Sequence, residues 1–244
     1  MMNRIESRPL VCACIALIMI GALESSYAQV ASSLERQPAP LITLEKIILT
    51  SDKLPPARRE LLDAAAQRIE RAREGGSVNL LAVCTHNSRR SQFCQAWSGL
   101  ALAHYKVSGV ESFSCGTEAT ACNVRTVSAL ERNGWQIQSP AGRQLNPHYV
   151  CTYGDSASVT LWSKAFGDPS LPTAQIVALL CCDDADKACP SVPGAVARVP
   201  LHYVDPKVSD DTAQEAAVYD ERCQQIAAEM FYMIRQLSTT ITTR

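Results

Sequence analysis

The sequence predicts an open α/β fold, a parallel sheet of about four strands with helices on both faces, and three observations predict it. From Val78 onward, short apolar runs of strand character alternate with segments of helical period, the pattern of parallel strands joined by right-handed crossovers. The first run, inside LLAVCTHNSRRSQ (Leu80–Gln92), ends abruptly in a cysteine and polar turn-formers before the period turns helical. The chain has 244 residues, 47% of them hydrophobic, enough for one globular domain with extensions.

The elements follow in order. Met1–Arg8 carries Arg4 and Arg8, Pro9–Leu23 is unbroken apolar sequence, and Ser26-Tyr27-Ala28 is a small-x-small cleavage site. Residues 1–28 therefore read as a secretory signal peptide, since an apolar run of about 15 residues falls short of the roughly 20 that span a bilayer. Export to an oxidising, periplasm-like compartment is expected, or a cytoplasmic protein if translation starts further on. Membrane contact is expected only through this segment. Residues 29–76 form a linker and an N-terminal helical extension. Prolines at 38, 40, 55 and 56 surround a short helical piece over Leu41–Leu49, and Leu61, Leu62, Ala65, Ala66 and Ile69 mark a helix over Arg58–Arg73 that Gly75-Gly76 stops. The α/β domain is expected over 77–240. Its strands are Val78–Cys84, Val110–Ser114, Ile176–Cys181 and Val196–Leu201; its helices are Arg90–Tyr105, Val124–Asn133 and Thr212–Leu237. Leu145–Pro172 reads as an irregular insertion holding a hairpin of Tyr149–Tyr153 with Val159–Trp162.

Net charge is −1 with no charge runs, which argues against a nucleic-acid partner. Ligands of open α/β sheets sit beyond the carboxyl ends of the strands, where the first strand delivers Cys84. Cys84-Thr85-His86-Asn87-Ser88-Arg89-Arg90 is a cysteine, five residues and an arginine. Such a loop curls around an anion with its backbone N–H groups inward, and the helix beginning near Arg90 adds its positive end. A cradle of this kind is expected to lower the Cys84 pKa and make the sulfur nucleophilic. Arg90 then grips two oxygens of a tetrahedral oxyanion, and Ser91 donates to the thiolate as it is expelled. Thr85, His86, Asn87, Ser88, Arg89 and Ser91 are the candidate oxyanion-binding residues.

Three blocks in order, VCTHNSRRSQ, VESFSCGTEATACNVRTVSALERNGWQI and YVDPKVSDD, resemble the low-molecular-weight protein tyrosine phosphatase superfamily, and within it the thioredoxin-coupled arsenate reductases. The resemblance runs from Asn79 to Leu237 and implies a phosphotyrosine phosphatase I-like fold. It implies that Asp205 is the general acid that protonates a leaving oxygen; from spacing alone, Asp205-Pro206 is simply a turn. It also implies a role for Cys182 and Cys189 in LLCCDDADKACP, similar to the Cys-x6-Cys pair of the reductases: Cys182 attacks the loaded nucleophile and Cys189 resolves the product as a disulfide. A static disulfide or inert thiols are the alternatives. The intervening Asp183, Asp184, Asp186 and Lys187 suit a loop that travels.

The chain departs from the family pattern at several positions. His86 stands where the family carries glycine, so a costly backbone angle is expected there. Gln95 replaces a glutamate associated with a cation, and Lys207 replaces the tyrosine of eukaryotic phosphatases. Trp97 reads as core. Cys94, Cys115, Cys122, Cys151 and Cys223 read as buried small apolar side chains. His104, His148 and His202 show no ligand grouping, so neither a metal nor a cofactor is expected. Three functions compete: an arsenate reductase using a thioredoxin-like reductant, a phosphatase of phosphate monoesters, and an exported oxyanion-binding protein without turnover. An exported reductase would need an exported dithiol partner.

Overall fold

The structure, a computed structural model, describes residues 42–188 and 191–240; the expected signal segment and Cys189 lie outside the described residues. Among the described residues no helix is long and apolar enough to cross a membrane.

The strand β1 (Val78–Cys84) is buried at every position but Asn79, the signature of a strand covered on both sides. It pairs in parallel with β2 (Val110–Gly116), in a register that sets Cys84 opposite Gly116. On its other edge it pairs in parallel with β6 (Ile176–Leu180), which in turn pairs with β7 (Ala195–Pro200). The sheet has four parallel strands, as the alternating pattern predicts, in the order β2-β1-β6-β7. All four strands thus present their carboxyl ends at one edge, and those of β1 and β6 are neighbours.

Helices flank this sheet. The helix α1 (Leu44–Ser51) is capped by Thr43, whose hydroxyl accepts from the Lys46 amide at 3.3 Å. Proline at the first position opens α2 (Pro56–Arg73), which buries the expected stripe of Leu62, Ala65, Ala66 and Ile69. Almost the whole surface of α3 (Arg90–His104) is buried, including Trp97 at 0% exposure, because α3 lies among the sheet, the last helix and the antiparallel hairpin. After α4 (Val124–Arg132) come the insertion and α5 (Asp183–Ala188), where a loop was expected. The last helix, α6 (Glu215–Thr240), buries Tyr219, Cys223, Ile226, Met230, Ile234 and Leu237 at helical spacing and touches α1, α2, α3 and α4.

The insertion is more regular than its sequence suggests. β4 (Tyr149–Tyr153) and β5 (Ala157–Leu161) form the expected hairpin, and β3 (Gln136–Gln138) joins β4 to make a three-stranded antiparallel sheet. At three residues, β3 is too short for its Gln-Ile-Gln alternation to stand out as a strand signal. Beyond β5 the chain returns to the parallel sheet: the Gly116 amide donates to the Lys164 carbonyl at 2.7 Å, and the Phe166 amide to the Gly116 carbonyl at 3.2 Å.

Candidate active site

The loop after β1 is wound by its carbonyls. That of Cys84 accepts from the Thr117 amide (3.3 Å), and that of Thr85 from the Glu118 amide (2.9 Å). The His86 carbonyl accepts from Ser163 Oγ (2.9 Å), the Asn87 carbonyl from Gln92 Nε2 (2.7 Å), and the Ser88 carbonyl from the Asn123 amide (3.0 Å). With five successive carbonyls turned outward, the N–H groups turn inward. Those of His86 to Arg90 donate to no backbone carbonyl among the described residues, while the Ser88 and Ser91 amides reach the Cys84 sulfur. Successive N–H groups turned inward in this way make a concavity whose geometry can receive an anion.

The winding needs one left-handed residue, and Asn87 supplies it at φ +43°, not His86, so the strain expected at His86 does not arise. The Asn87 side chain is used at both ends. Its Oδ1 accepts from the Lys164 amide (2.8 Å), and its Nδ2 donates to Ser91 Oγ (2.8 Å), which lies 2.9 Å from Cys84 Sγ. Accepting from Asn87 leaves the Ser91 hydroxyl hydrogen for the sulfur. Behind the loop, a β-carbon on Gly116 would come within 2.6 Å of three backbone atoms, the Asn87 nitrogen and the oxygens of Thr85 and Glu118. The close approach of β2 to the loop therefore requires glycine.

Arg90 begins α3 and reaches the segment after β7. Its Nη2 donates to Asp205 Oδ2 (2.7 Å) and its Nη1 to the Tyr203 carbonyl (3.1 Å), while its buried Nε has no partner among the described residues. An arginine with one unsatisfied buried donor is poised to bind an oxyanion. Asp205 is also the turn residue that spacing suggests, since its Oδ1 caps the 3₁₀ helix Pro206–Ser209 by accepting from the Lys207 amide (3.1 Å). The structure thus joins Cys84, Ser91, Arg90 and Asp205 around one strand end.

Other candidates stand differently. The Arg89 side chain turns away to Tyr219 Oη (2.7 Å) and Asp210 (3.2 Å), so its part in the loop is its backbone. Ser88 Oγ donates to the Ala121 carbonyl (2.7 Å), and the half-exposed His86 imidazole faces Glu118 at 3.5 Å. An open cleft of about 610 Å³ over the loop is lined by His86, Arg89, Thr120, Asn123, Leu145 and Lys207.

The Cys84 pKa runs against expectation. Burial pushes the thiol up, the neighbouring Cys181 thiol adds to this, and the Ser91 hydroxyl and the Ser91 and Ser88 amides pull it back only in part. The physical reason is desolvation: burial of the sulfur disfavours the charged thiolate by more than the hydrogen bonds to it restore.

Cys182 follows β6, is 2% exposed, and its sulfur lies 3.7 Å from Thr85 Oγ1, one residue from Cys84. The following α5 is held by the Arg198 guanidinium on Asp186 (2.7 Å) and by His202, whose ring nitrogens face Asp183 and Asp186. Cys181 points away to Cys94, at 3.5 Å between sulfurs. Cys94, Cys115, Cys122, Cys151 and Cys223 are all buried, as expected.

Sequence reasoning missed the insertion's part in the site. Ser163 and the Lys164 amide hold the loop from behind, and the Trp162 carbonyl accepts from Gln92 (2.8 Å). Lys164 itself is 1% exposed, its ammonium 3.8 Å from the Trp162 ring centroid, and burial lowers its pKa to about 8. Only the isolated lysine among apolar and small residues could have drawn attention to it.

No protein-family model and no curated protein matches the sequence. Several solved structures are similar. A low-molecular-weight phosphotyrosine phosphatase from Vibrio cholerae is 11% identical over 69% of this chain and all of its own, with a TM-score of 0.45. A low-molecular-weight protein tyrosine phosphatase from T. tengcongensis is 18% identical over 66% of this chain and all of its own, with a TM-score of 0.44. A thioredoxin-dependent arsenate reductase from Corynebacterium glutamicum is 20% identical over 73% of this chain and 69% of its own, with a TM-score of 0.33.

Proposed function

We propose that this chain is a cysteine-dependent enzyme of tetrahedral oxyanions, and most specifically an arsenate reductase. The supporting observation is the outward turn of five carbonyls around Cys84, with Arg90 at the loop's end and the Cys182 thiol beside its beginning. In this reading the arsenate oxygens take the inward amides and the free Arg90 Nε. Cys84 passes its thiol proton to an arsenate oxygen as its sulfur attacks arsenic, and that oxygen leaves as water. The Cys182 thiolate then attacks Cys84 Sγ, the sulfur–arsenic bonding pair stays on arsenic, and arsenite leaves with As(V) reduced to As(III). Cys189 attacks Cys182, freeing Cys84, and an external dithiol of the thioredoxin class reduces the Cys182–Cys189 disulfide. With residues 1–28 acting as an export signal, that dithiol protein is itself exported.

A second reading, hydrolysis of phosphate monoesters, is favoured by the 2.7 Å Arg90–Asp205 pair, which sets a carboxyl group beside the anion receptor. Cys84 attacks phosphorus, Asp205 protonates the leaving oxygen, and water later splits the phosphocysteine. The two readings separate at Cys189. Arsenate reduction by Cys189→Ser, with a thioredoxin-type reductant, should stop after one turnover while p-nitrophenyl phosphate hydrolysis persists. Multiple turnovers at the wild-type rate in that variant would remove the reductase reading.

A further inference from the structure

We infer that Arg58, on the helix α2 that precedes the sheet, is a positioning residue for the general acid Asp205. The inference rests on the reading of Cys84, Arg90 and Asp205 given above, and concerns a part of the chain outside the family resemblance. Arg58 Nη2 donates to the Leu201 carbonyl (2.7 Å) and to Glu229 Oε2 on α6 (2.6 Å). Its guanidinium lies over the Tyr203 ring, 5.0 Å from the centroid, and Tyr203 Oη donates to the same Glu229 oxygen (2.8 Å). Glu229 is 1% exposed, and its second oxygen is occupied by Gln225 (3.0 Å).

These contacts converge on the segment that leads to the acid. Leu201 and Tyr203 donate their amides to the Leu180 and Cys181 carbonyls at the end of β6 (2.9 and 3.0 Å). One side of the segment is thus fixed by the sheet, and the other by Arg58 and Glu229. The Tyr203 carbonyl, between the two, receives Arg90, whose other arm holds Asp205. A buried ion pair is a weak stabiliser compared with apolar packing of the same volume, but it fixes geometry closely. Without Arg58 the Leu201 carbonyl and the Tyr203 ring lose their partner, and the Tyr203–Asp205 stretch can drift from Arg90. Displacements of about 1 Å at a reacting group can cost 10²-fold in rate.

The test compares kcat/KM for two esters, phenyl phosphate, whose leaving oxygen must be protonated, and 2,4-dinitrophenyl phosphate, whose leaving group departs as the anion. D205N sets the scale, with a loss of roughly 10²-fold or more on phenyl phosphate and a much smaller one on the dinitrophenyl ester. R58M should lose about tenfold on phenyl phosphate and less than about twofold on the dinitrophenyl ester, a fraction of the general-acid effect. E229Q should shift the same way by less. Both esters are measured on one preparation, so the ratio is independent of how much variant has folded. Equal losses on the two esters would show Arg58 to be merely structural and overturn the inference. If the wild-type enzyme hydrolysed neither ester, the phosphatase reading would fall, and this inference with it, while the arsenate reading of Cys84 would stand.

Discussion

Two chain segments leave neighbouring strand ends in the same direction, and they are built in opposite ways. The loop after β1 is locked through its backbone: five carbonyls are taken by partners from the β2 exit, the start of α4, the insertion and α3, and Asn87 is held at both ends of its amide. The segment after β6 is held by side chains, with α5 only six residues long and tied by Asp186 to Arg198 and by His202 between two carboxylates. In the proposed function, a loop presenting inward amides to an anion cannot flex without losing them, whereas a segment carrying a thiol toward a loaded cysteine is better held by contacts that break cheaply, because partly exposed ion pairs contribute only about 0–1 kcal/mol each.

The largest expected effect is on the locked side. Cys84→Ser should reduce arsenate turnover and phosphate-ester hydrolysis by at least about 10³-fold, since removing a nucleophile leaves only binding and electrostatics. Retained turnover would break the comparison at its root. Arg90→Lys keeps the charge but loses the fork, and should cost about 10²–10³-fold in kcat/KM, with iodoacetate labelling of Cys84 less well protected by arsenate. A larger loss from Arg89→Ala would show that the wrong arginine has been placed at the anion.

Lys164 tests the cost of the buttress. Its pKa is lowered to about 8 in the fold against an ordinary 10.5, so between these values the unfolded chain binds the extra proton. Stability should therefore rise as pH climbs from about 8 to 10.5, by at most on the order of 3 kcal/mol relative to Lys164→Met measured in parallel. Identical pH dependence in the two proteins would mean that the ammonium is solvated. Gly116→Ala forces a β-carbon into the loop backbone and should destabilise by about 1–3 kcal/mol in urea unfolding, with weakened oxyanion protection of Cys84. The smallest effect belongs to the other segment. His202→Ala should cost no more than about 1 kcal/mol, raise protease sensitivity near Cys182, and leave ester hydrolysis unchanged. A loss as large as that of Gly116→Ala would erase the contrast between the two segments.

Local pattern carried the parallel sheet, the hairpin of the insertion and the stripe of α2, because each depends on the spacing of apolar residues within one element. It also located Cys84 and Arg90, since a strand end, a turn-rich loop and a helix start are all read within a dozen consecutive residues. Asp205 came from resemblance, because a turn and an acid look alike in sequence. Only the tertiary structure set Asp205 on Arg90, hung Asn87 on Lys164 from 77 residues away, and ran Arg58 across 143 residues to the Leu201 carbonyl. These are side-chain to backbone and side-chain to side-chain bonds between distant segments. Their partners carry no periodicity, and the same packing decided the protonation of Cys84: a cysteine followed by two arginines reads as an activated thiolate, but burial and the neighbouring Cys181 thiol push its pKa up.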